Sequence, residues 1–289
     1  MNRYANPDVL VDTQWLEDHL HDPNLRILEV DMSPEPYEKS HIPGAVFLNP
    51  ITDLLRPDLR LNTDPDAVNN WLSQMGIGPE TTVVAYGSDP GTGAWIFWLL
   101  QAVGHRQVKV LNGGYQRWMA EDRPVANALT MVAPTQYSAK SFDASFRVLL
   151  AEVEAAIANP NQVLLDVRTL PEYQGRLFLM KPPKDAERAG HIPGAIHLEH
   201  TLMLNDDGTF KPVEKLQALF EQRSITPDRE VFPYCAIGGR SACVWFVLTY
   251  LLGYPNVRNY DGSWNEWGRL PHTPVETRAK PRPASRHPR

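Results

Sequence analysis

The chain contains itself twice, and few folds accommodate that. His41-Ile42-Pro43-Gly44-Ala45-Val46-Phe47-Leu48 recurs as His191-Ile192-Pro193-Gly194-Ala195-Ile196-His197-Leu198, 150 residues later. Leu28-Glu29-Val30-Asp31 answers to Leu165-Asp166-Val167-Arg168 at an offset of 137. Tyr86 and the apolar run through Leu100 answer to Tyr234 and the run through Leu248 at 148, and Gly113 to Trp118 answer to Gly262 to Trp267 at 149. Four landmarks in one order at nearly constant offset define a tandem duplication. The 13-residue discrepancy between the first two offsets marks an insertion in the second copy, around Arg176 to Gly190. Copies of about 140 residues are too long for solenoid repeats and suit independent globular domains.

The expected organisation is a first domain over 1–125, a linker over 126–145 with no sustained period, a second domain over 146–272 and a basic, Pro-rich tail over 273–289. That tail carries five Lys and Arg against one Glu, so the rest of the chain, which is −6 overall, stands at −10. A segment this poor in apolar residues cannot offset its own ordering entropy and is read as a solvated end. The acidic body argues against a nucleic-acid partner, and no apolar run approaches membrane-spanning length. Two cysteines cannot build a disulfide framework, and the first residues lack the layout of a secretory signal, so a reducing cytoplasm is expected.

Within each copy, short runs rich in Val, Ile and Leu alternate with helical patterns. Val163 to Val167 and Glu230 to Tyr234 read as strands; Leu149 to Ile157 and Val213 to Phe220 carry apolar residues at helical spacing. Ser241 to Leu252 is apolar nearly all round and stops at Gly253, as a buried helix would. This alternation predicts an α/β fold: two tandem domains, each a mostly parallel sheet with helices on both faces. Sites on such sheets lie at the carboxyl ends of strands.

One such strand end differs between the copies. Tyr234-Cys235-Ala236-Ile237-Gly238-Gly239-Arg240-Ser241 aligns with Tyr86-Gly87-Ser88-Asp89-Pro90-Gly91-Thr92-Gly93, so only the second copy has a thiol there. Gly238 and Gly239 let successive N–H groups curl toward one point, and the helix start and Arg240 favour a thiolate at Cys235. Ser241 is expected to cap the helix. Cys243 falls inside the apolar helix and reads as a packing thiol, while the Trp95/Trp98 and Trp245/Phe246 pairs read as core. His41 and His191 lack a second ligand at metal-binding spacing and read as structural. Lys181, Lys184 and Arg188 in the insertion either steer anions or belong to an ordinary solvated loop.

Tyr37 with His41 to Ala45, Val257 to Trp267, and Cys235-x-x-Gly238-x-Arg240-Ser241 together resemble the signatures of tandem-domain rhodanese-family sulfurtransferases, of the thiosulfate or 3-mercaptopyruvate type, over Val9 to Trp267. The resemblance implies a rhodanese fold used twice, a non-catalytic first domain and a catalytic second one. It implies Cys235 as nucleophile, with Arg168, Arg240 and the loop residues Ala236, Ile237, Gly238, Gly239 and Ser241 binding substrate. The implied reaction moves sulfur from a small anionic donor, thiosulfate in the first instance, through a Cys235 persulfide to a thiophilic acceptor such as cyanide. No cofactor is implied. Asp166 and Glu172 are expected to orient Arg168 or the loop. Two departures stand out: Ala236-Ile237-Gly238 matches neither the basic loop of many thiosulfate-using relatives nor the Gly-Ser-Gly loop of mercaptopyruvate-using ones, and Glu187 stands where an aromatic is expected four residues before His191. Cysteine phosphatases use a similar loop with Cys-x5-Arg, one residue longer than Cys235 to Arg240. A non-catalytic binding module is the third class considered.

Overall fold

Alternating β-branched runs and helices produce two parallel sheets in the computed structural model, which describes residues 3–89 and 91–277. The first sheet consists of β1 (Leu10–Val11), β2 (Leu25–Val30), β3 (Ala45–Leu48), β4 (Thr82–Tyr86) and β5 (Val108–Leu111), in the order β1-β5-β4-β2-β3 with every pairing parallel. The second consists of β6 (Gln162–Asp166), β7 (Ile196–His197) and β8 (Glu230–Tyr234), in the order β7-β6-β8. Parallel bridges from Val257 to Val231, Tyr260 to Tyr234 and Asn259 to Arg147 continue it in the positions that β5 and β1 hold in the first. Both copies are therefore the same α/β fold, with the helices that cross between parallel strands covering the sheets.

The two apolar helices join the copies. Gly93–Ala102 is buried at every residue, and Gly239–Phe246 runs on into a π-helical segment, Val247–Leu251. An all-apolar surface needs cover on every side, and each helix finds it between its own sheet and the other copy's helix. Phe97 meets Phe246 edge-on at 4.9 Å and Tyr250 at 4.7 Å, and one core cluster draws residues from both copies. Trp98 and Trp245 are buried and donate their indole N–H groups to the carbonyls of Phe146 and Val257, at 2.9 and 3.0 Å.

Duplication shows in paired contacts across this interface. A Cβ on Gly239 would lie 2.6 Å from the Trp95 ring, and one on Gly91 would lie 3.0 Å from Cys243 Sγ. Gln116 Nε2 donates to Asp206 O at 2.9 Å, and Asn265 Nδ2 to Asp58 O at 2.8 Å. Each pair exchanges equivalent positions of the two copies.

The segment read as a tail requires correction at its start. Thr273 is buried, its hydroxyl donates to Trp267 O at 2.7 Å, and Glu276 pairs with His191 through N–H···O bonds of 2.8 and 2.9 Å. The first copy has the same strap, with Ala126 paired to His41 through two bonds of 2.9 Å. Arg188, expected in an anion-steering or solvated loop, instead anchors the second strap through the carbonyls of Trp267, Leu270 and Thr273. The five basic residues of the tail lie outside the described residues.

His41 and His191 are fixed alike. Each places Nδ1 2.7 Å from a tyrosine carbonyl and stacks on the same tyrosine, Tyr37 at 3.8 Å and Tyr173 at 3.7 Å. The aromatic missing at Glu187 is thus Tyr173, displaced upstream by the insertion. No group of three or more His, Cys, Asp or Glu side chains among the described residues is placed to hold a metal, and no helix there is long and apolar enough to cross a membrane.

Because the core is continuous, Phe97→Ala should cost about 3–5 kcal/mol and lower the urea midpoint of both copies in one transition. A separate, earlier transition in the variant, seen when tryptophan fluorescence and far-UV circular dichroism fail to coincide, would show the copies to be energetically independent.

Candidate active site

The loop after β8 is shaped by glycine and by the carbonyls it turns away. Gly238 has φ +97°, and a Cβ there would come within 3.0 Å of Asp261 Cα, so both conformation and space require glycine. Cys235 O accepts from Trp264 N at 3.0 Å and Ala236 O from Asn265 N at 2.9 Å. With those carbonyls held outward by the helix Ser263–Trp267, the loop's N–H groups face inward. Gly238 N lies 3.2 Å from Cys235 Sγ, Ser241 Oγ 3.5 Å and Ser263 Oγ 4.0 Å.

Cys235 is 1% exposed. Burial alone would push its thiol up, but the charge of Arg240, the Ser241 hydroxyl and the N–H groups of Ser241 and Ile237 outweigh it and hold the thiol below its ordinary value. Cys243 has no such partners, and burial pushes its thiol far up. The two cysteines thus separate by environment into an activated sulfur and a packing one.

Ser241 does not cap the helix. The helix begins at Gly239 behind the left-handed Gly238, and Ser241, already in its first turn, donates to Gly238 O at 3.0 Å while facing the sulfur. Ala236 is buried, whereas Ile237, Gly239 and Arg240 are half-buried at the mouth of the loop.

The arginines divide. Arg240 forms a two-pronged ion pair with Glu172, Nη1–Oε2 2.8 Å and Nη2–Oε1 2.9 Å. Glu172 has no exposed surface and also accepts from Thr169 N and Oγ1 at 3.1 and 2.8 Å. Burial would raise its carboxyl, but Arg240, Thr169 and Arg168 hold it down at about 2. Arg168, expected to bind substrate, also has no exposed surface. Its guanidinium bonds Asp166 at 2.6–3.2 Å and Gly190 O at 2.6 Å, and lies 4.4 Å over the Trp264 ring and 5.6 Å from Tyr234. It is a core element beneath the loop, and the short reach from Asp166 to Arg168 on one strand end explains why.

Sequence reasoning passed over Ser263 and Asn259. Ser263 Oγ accepts from Cys235 N at 3.0 Å, and Asn259 Nδ2 donates to Gly238 O at 3.2 Å. Ser263 sits at φ +51°, where the first copy has Gly114 at +53°. A side chain kept at a position that glycine occupies in the duplicate is a readable sign of local constraint.

In the first copy, a Cβ on Gly87 would lie 2.5 Å from Val30 O, and Thr92 replaces Arg240. That strand end has no room for the sulfur and lacks the loop cation.

Arg240→Gln should therefore move the pH midpoint of Cys235 alkylation by iodoacetamide upward and slow the reaction several-fold at pH 7, with Cys243 unmodified throughout. Peptide mass mapping at a series of pH values reads both sites; an unchanged midpoint would remove Arg240 from the electrostatic account.

The Rhodanese-like domain family matches residues 12–121 and again 149–270. The chain is similar to the Sulfur carrier protein TtuD of Thermus thermophilus, 41% identical over 94% of this chain and 98% of the relative. It is also similar to the "Putative thiosulfate sulfurtransferase" of Mycolicibacterium smegmatis, 40% identical over 94% and 99%. Among solved structures it resembles EanB with a cysteine persulfide and ergothioneine, at 25% identity and TM-score 0.85, covering 97% of this chain and 73% of that one. The anaerobic ergothioneine biosynthesis enzyme of Chlorobium limicola with trimethyl histidine matches at 25% identity and TM-score 0.85, over 97% and 72%. Two matched domains, together with relatives aligned along nearly their whole length, establish that this chain belongs to the rhodanese family.

Proposed function

We propose that the protein is a sulfurtransferase that moves the sulfane sulfur of thiosulfate to a thiophilic acceptor such as cyanide through a persulfide on Cys235. The Cys235 thiolate attacks the outer sulfur of thiosulfate, forming a new S–S bond. The original S–S bond breaks and sulfite leaves with its electron pair. The acceptor then takes the outer sulfur and returns the thiolate. The N–H groups converging on the loop stabilise negative charge on both the thiolate and the persulfide without reorganising.

The observation that carries this reading is the buried Sγ of Cys235 with Gly238 N at 3.2 Å and the hydroxyls of Ser241 and Ser263 beside it. The cradle suits one added sulfur atom. Its Cys-x4-Arg length and its buried sulfur disfavour a tetrahedral phosphate, which the longer phosphatase loop surrounds. The names of the relatives agree: one is a sulfur carrier, another carries thiosulfate sulfurtransferase in its name, and EanB holds a cysteine persulfide. 3-Mercaptopyruvate is the second donor, and the burial of Arg168 removes the clamp expected for its carboxylate and for the sulfonate oxygens of thiosulfate alike.

Incubation with thiosulfate should add the mass of one sulfur to the protein, and cyanide should remove it as thiocyanate. Cys235→Ser should abolish both, lowering turnover by at least about a thousand-fold. Absence of a mass gain with thiosulfate and with 3-mercaptopyruvate would overturn the reading. Gly87→Cys, lacking the loop cation and meeting Val30 O, should not acquire a second sulfur.

A further inference from the structure

We propose that Arg60, carried by the first copy, is a substrate-binding residue of the Cys235 site and receives the sulfonate oxygens of the anionic donor. The proposal rests on the sulfur-transfer reading above and names the group that holds its donor. Within the second copy that role stands open, because Arg168 is buried and both prongs of Arg240 engage Glu172.

The turn that carries Arg60 is tied to the Cys235 loop through one residue. Asn265 is buried, its backbone N–H holds Ala236 O at 2.9 Å, and its Nδ2 donates to Asp58 O at 2.8 Å. The turn closes with Arg56 N donating to Arg60 O at 2.8 Å, around Leu59 in the left-handed region at φ +61°. The second copy builds the same turn, with Asn205 N donating to Thr209 O at 2.8 Å around Gly208 at +78°. That turn packs on the helix Gly114–Ala120, whose Tyr115 N–H holds Gly87 O at 3.3 Å as Trp264 N–H holds Cys235 O. The two turns thus flank equivalent strand ends, but their charges differ. Arg56 and Arg60 have Asn205 and Thr209 as counterparts, so both cations stand on the turn beside the cysteine and neither on the turn beside Gly87. The helix side is inverted to match: Arg117 meets the acid Asp207 at 2.8 Å, while Glu266, its counterpart, faces Arg60 at 3.4 Å.

Arg60 is held loosely. Its side chain is 52% exposed, and its guanidinium stays 3.4 Å from Glu266 and 3.5 Å from Asp58, whereas Arg240 bonds its carboxylate at 2.8 and 2.9 Å. Glu266 also accepts from the Tyr260 hydroxyl at 2.8 Å. Arg56, Asp58, Arg60 and Glu266 together carry no net charge, so the donor is recognised at contact and not by a field at a distance. What Arg60 offers is a guanidinium fork free to turn and bond two sulfonate oxygens side by side. The same contact serves the transfer. As the Cys235 thiolate attacks the outer sulfur, the new S–S bond forms, the donor S–S bond breaks, and its electron pair passes to sulfite, whose oxygens gain charge against the guanidinium. No oxidant or reductant enters.

Two measurements on the full chain test the proposal. In Arg60→Gln the rate at which thiosulfate adds a sulfur to Cys235, followed by protein mass, should fall by about ten-fold. The ratio of Cys235 alkylation rates with the anion iodoacetate and with neutral iodoacetamide should fall by about three-fold in the same variant, while the iodoacetamide rate itself stays unchanged and reports an intact loop. Arg60→Lys, which keeps the charge without the fork, should retain the alkylation ratio and recover only part of the loading rate. Unchanged sulfur loading in Arg60→Gln, an unchanged alkylation ratio, an equal fall with both alkylating agents, or an Arg60→Lys ratio as low as that of Arg60→Gln would each overturn the proposal and leave sulfur transfer intact. Failure of the wild-type protein to gain sulfur from thiosulfate would instead overturn the sulfur-transfer reading, and this proposal with it, even if the alkylation ratio moved as expected.

Discussion

The contact between the two apolar helices, Gly93–Ala102 and Gly239–Leu251, places everything else in this molecule. Each helix starts at the carboxyl end of a central strand, so bringing the two together also brings together the loops that precede them. The Gly239–Trp95 and Gly91–Cys243 approaches show how close the packing is: neither glycine could carry a Cβ without moving its neighbour. This accounts for the full burial of Cys243 between the two copies. It fills the position at which the second copy presses on the first copy's loop, as Trp95 does in the reverse direction.

Duplication also makes the chemistry legible as a difference. Asp166 and Glu29 occupy the same place in the two strands, but only Asp166 has an arginine two residues on; the first copy has Asp31. Without that cation, burial and the nearby Asp31 outweigh the hydrogen bond that Tyr86 donates, and the Glu29 carboxyl rises to about 7. The stack of Tyr86 on Tyr115, with centroids 6.2 Å apart, occupies the region that in the second copy holds Arg168 between Tyr234 and Trp264. The absence of a thiol at Gly87 is thus one of several linked differences between the copies.

The repeat, the strand and helix alternation, the parallel sheets and the special loop were readable because they rest on local rules: period, glycine placement and self-similarity. What escaped depends on contacts between residues distant in sequence. Tyr173 stacks on His191 across the insertion, 18 residues away where the first copy needs 4. The strap at Thr273 to Glu276 looks like a tail by composition and is held by His191 and Arg188. Arg168 was expected to contact substrate because the family resemblance implies it, yet Asp166, Trp264 and Tyr234 close over it. Ser263 was hidden by being one residue of a longer motif, although its glycine counterpart, Gly114, could have exposed it.

These buried pairs also bear on how the sulfur can carry charge at all. In the second copy Asp166 is matched by Arg168 and Glu172 by Arg240, with both carboxylates fully buried, so the pairs contribute little net charge to the loop. A thiolate at Cys235 would then be a negative charge in the cradle without a full counter-ion. Its compensation falls to N–H and hydroxyl dipoles and to the part of the Arg240 field that Glu172 leaves unscreened. Dipoles fixed by Gly238 and by the carbonyl contacts of Trp264 and Asn265 do not move when the sulfur gains or loses an atom. A full counter-ion bound to the thiolate would have to follow the charge as it shifts outward to the terminal sulfur of a persulfide. In the proposed transfer, the Gly238, Ile237 and Ser241 N–H groups that favour a charged Cys235 sulfur are also the groups that would face the atom added to it.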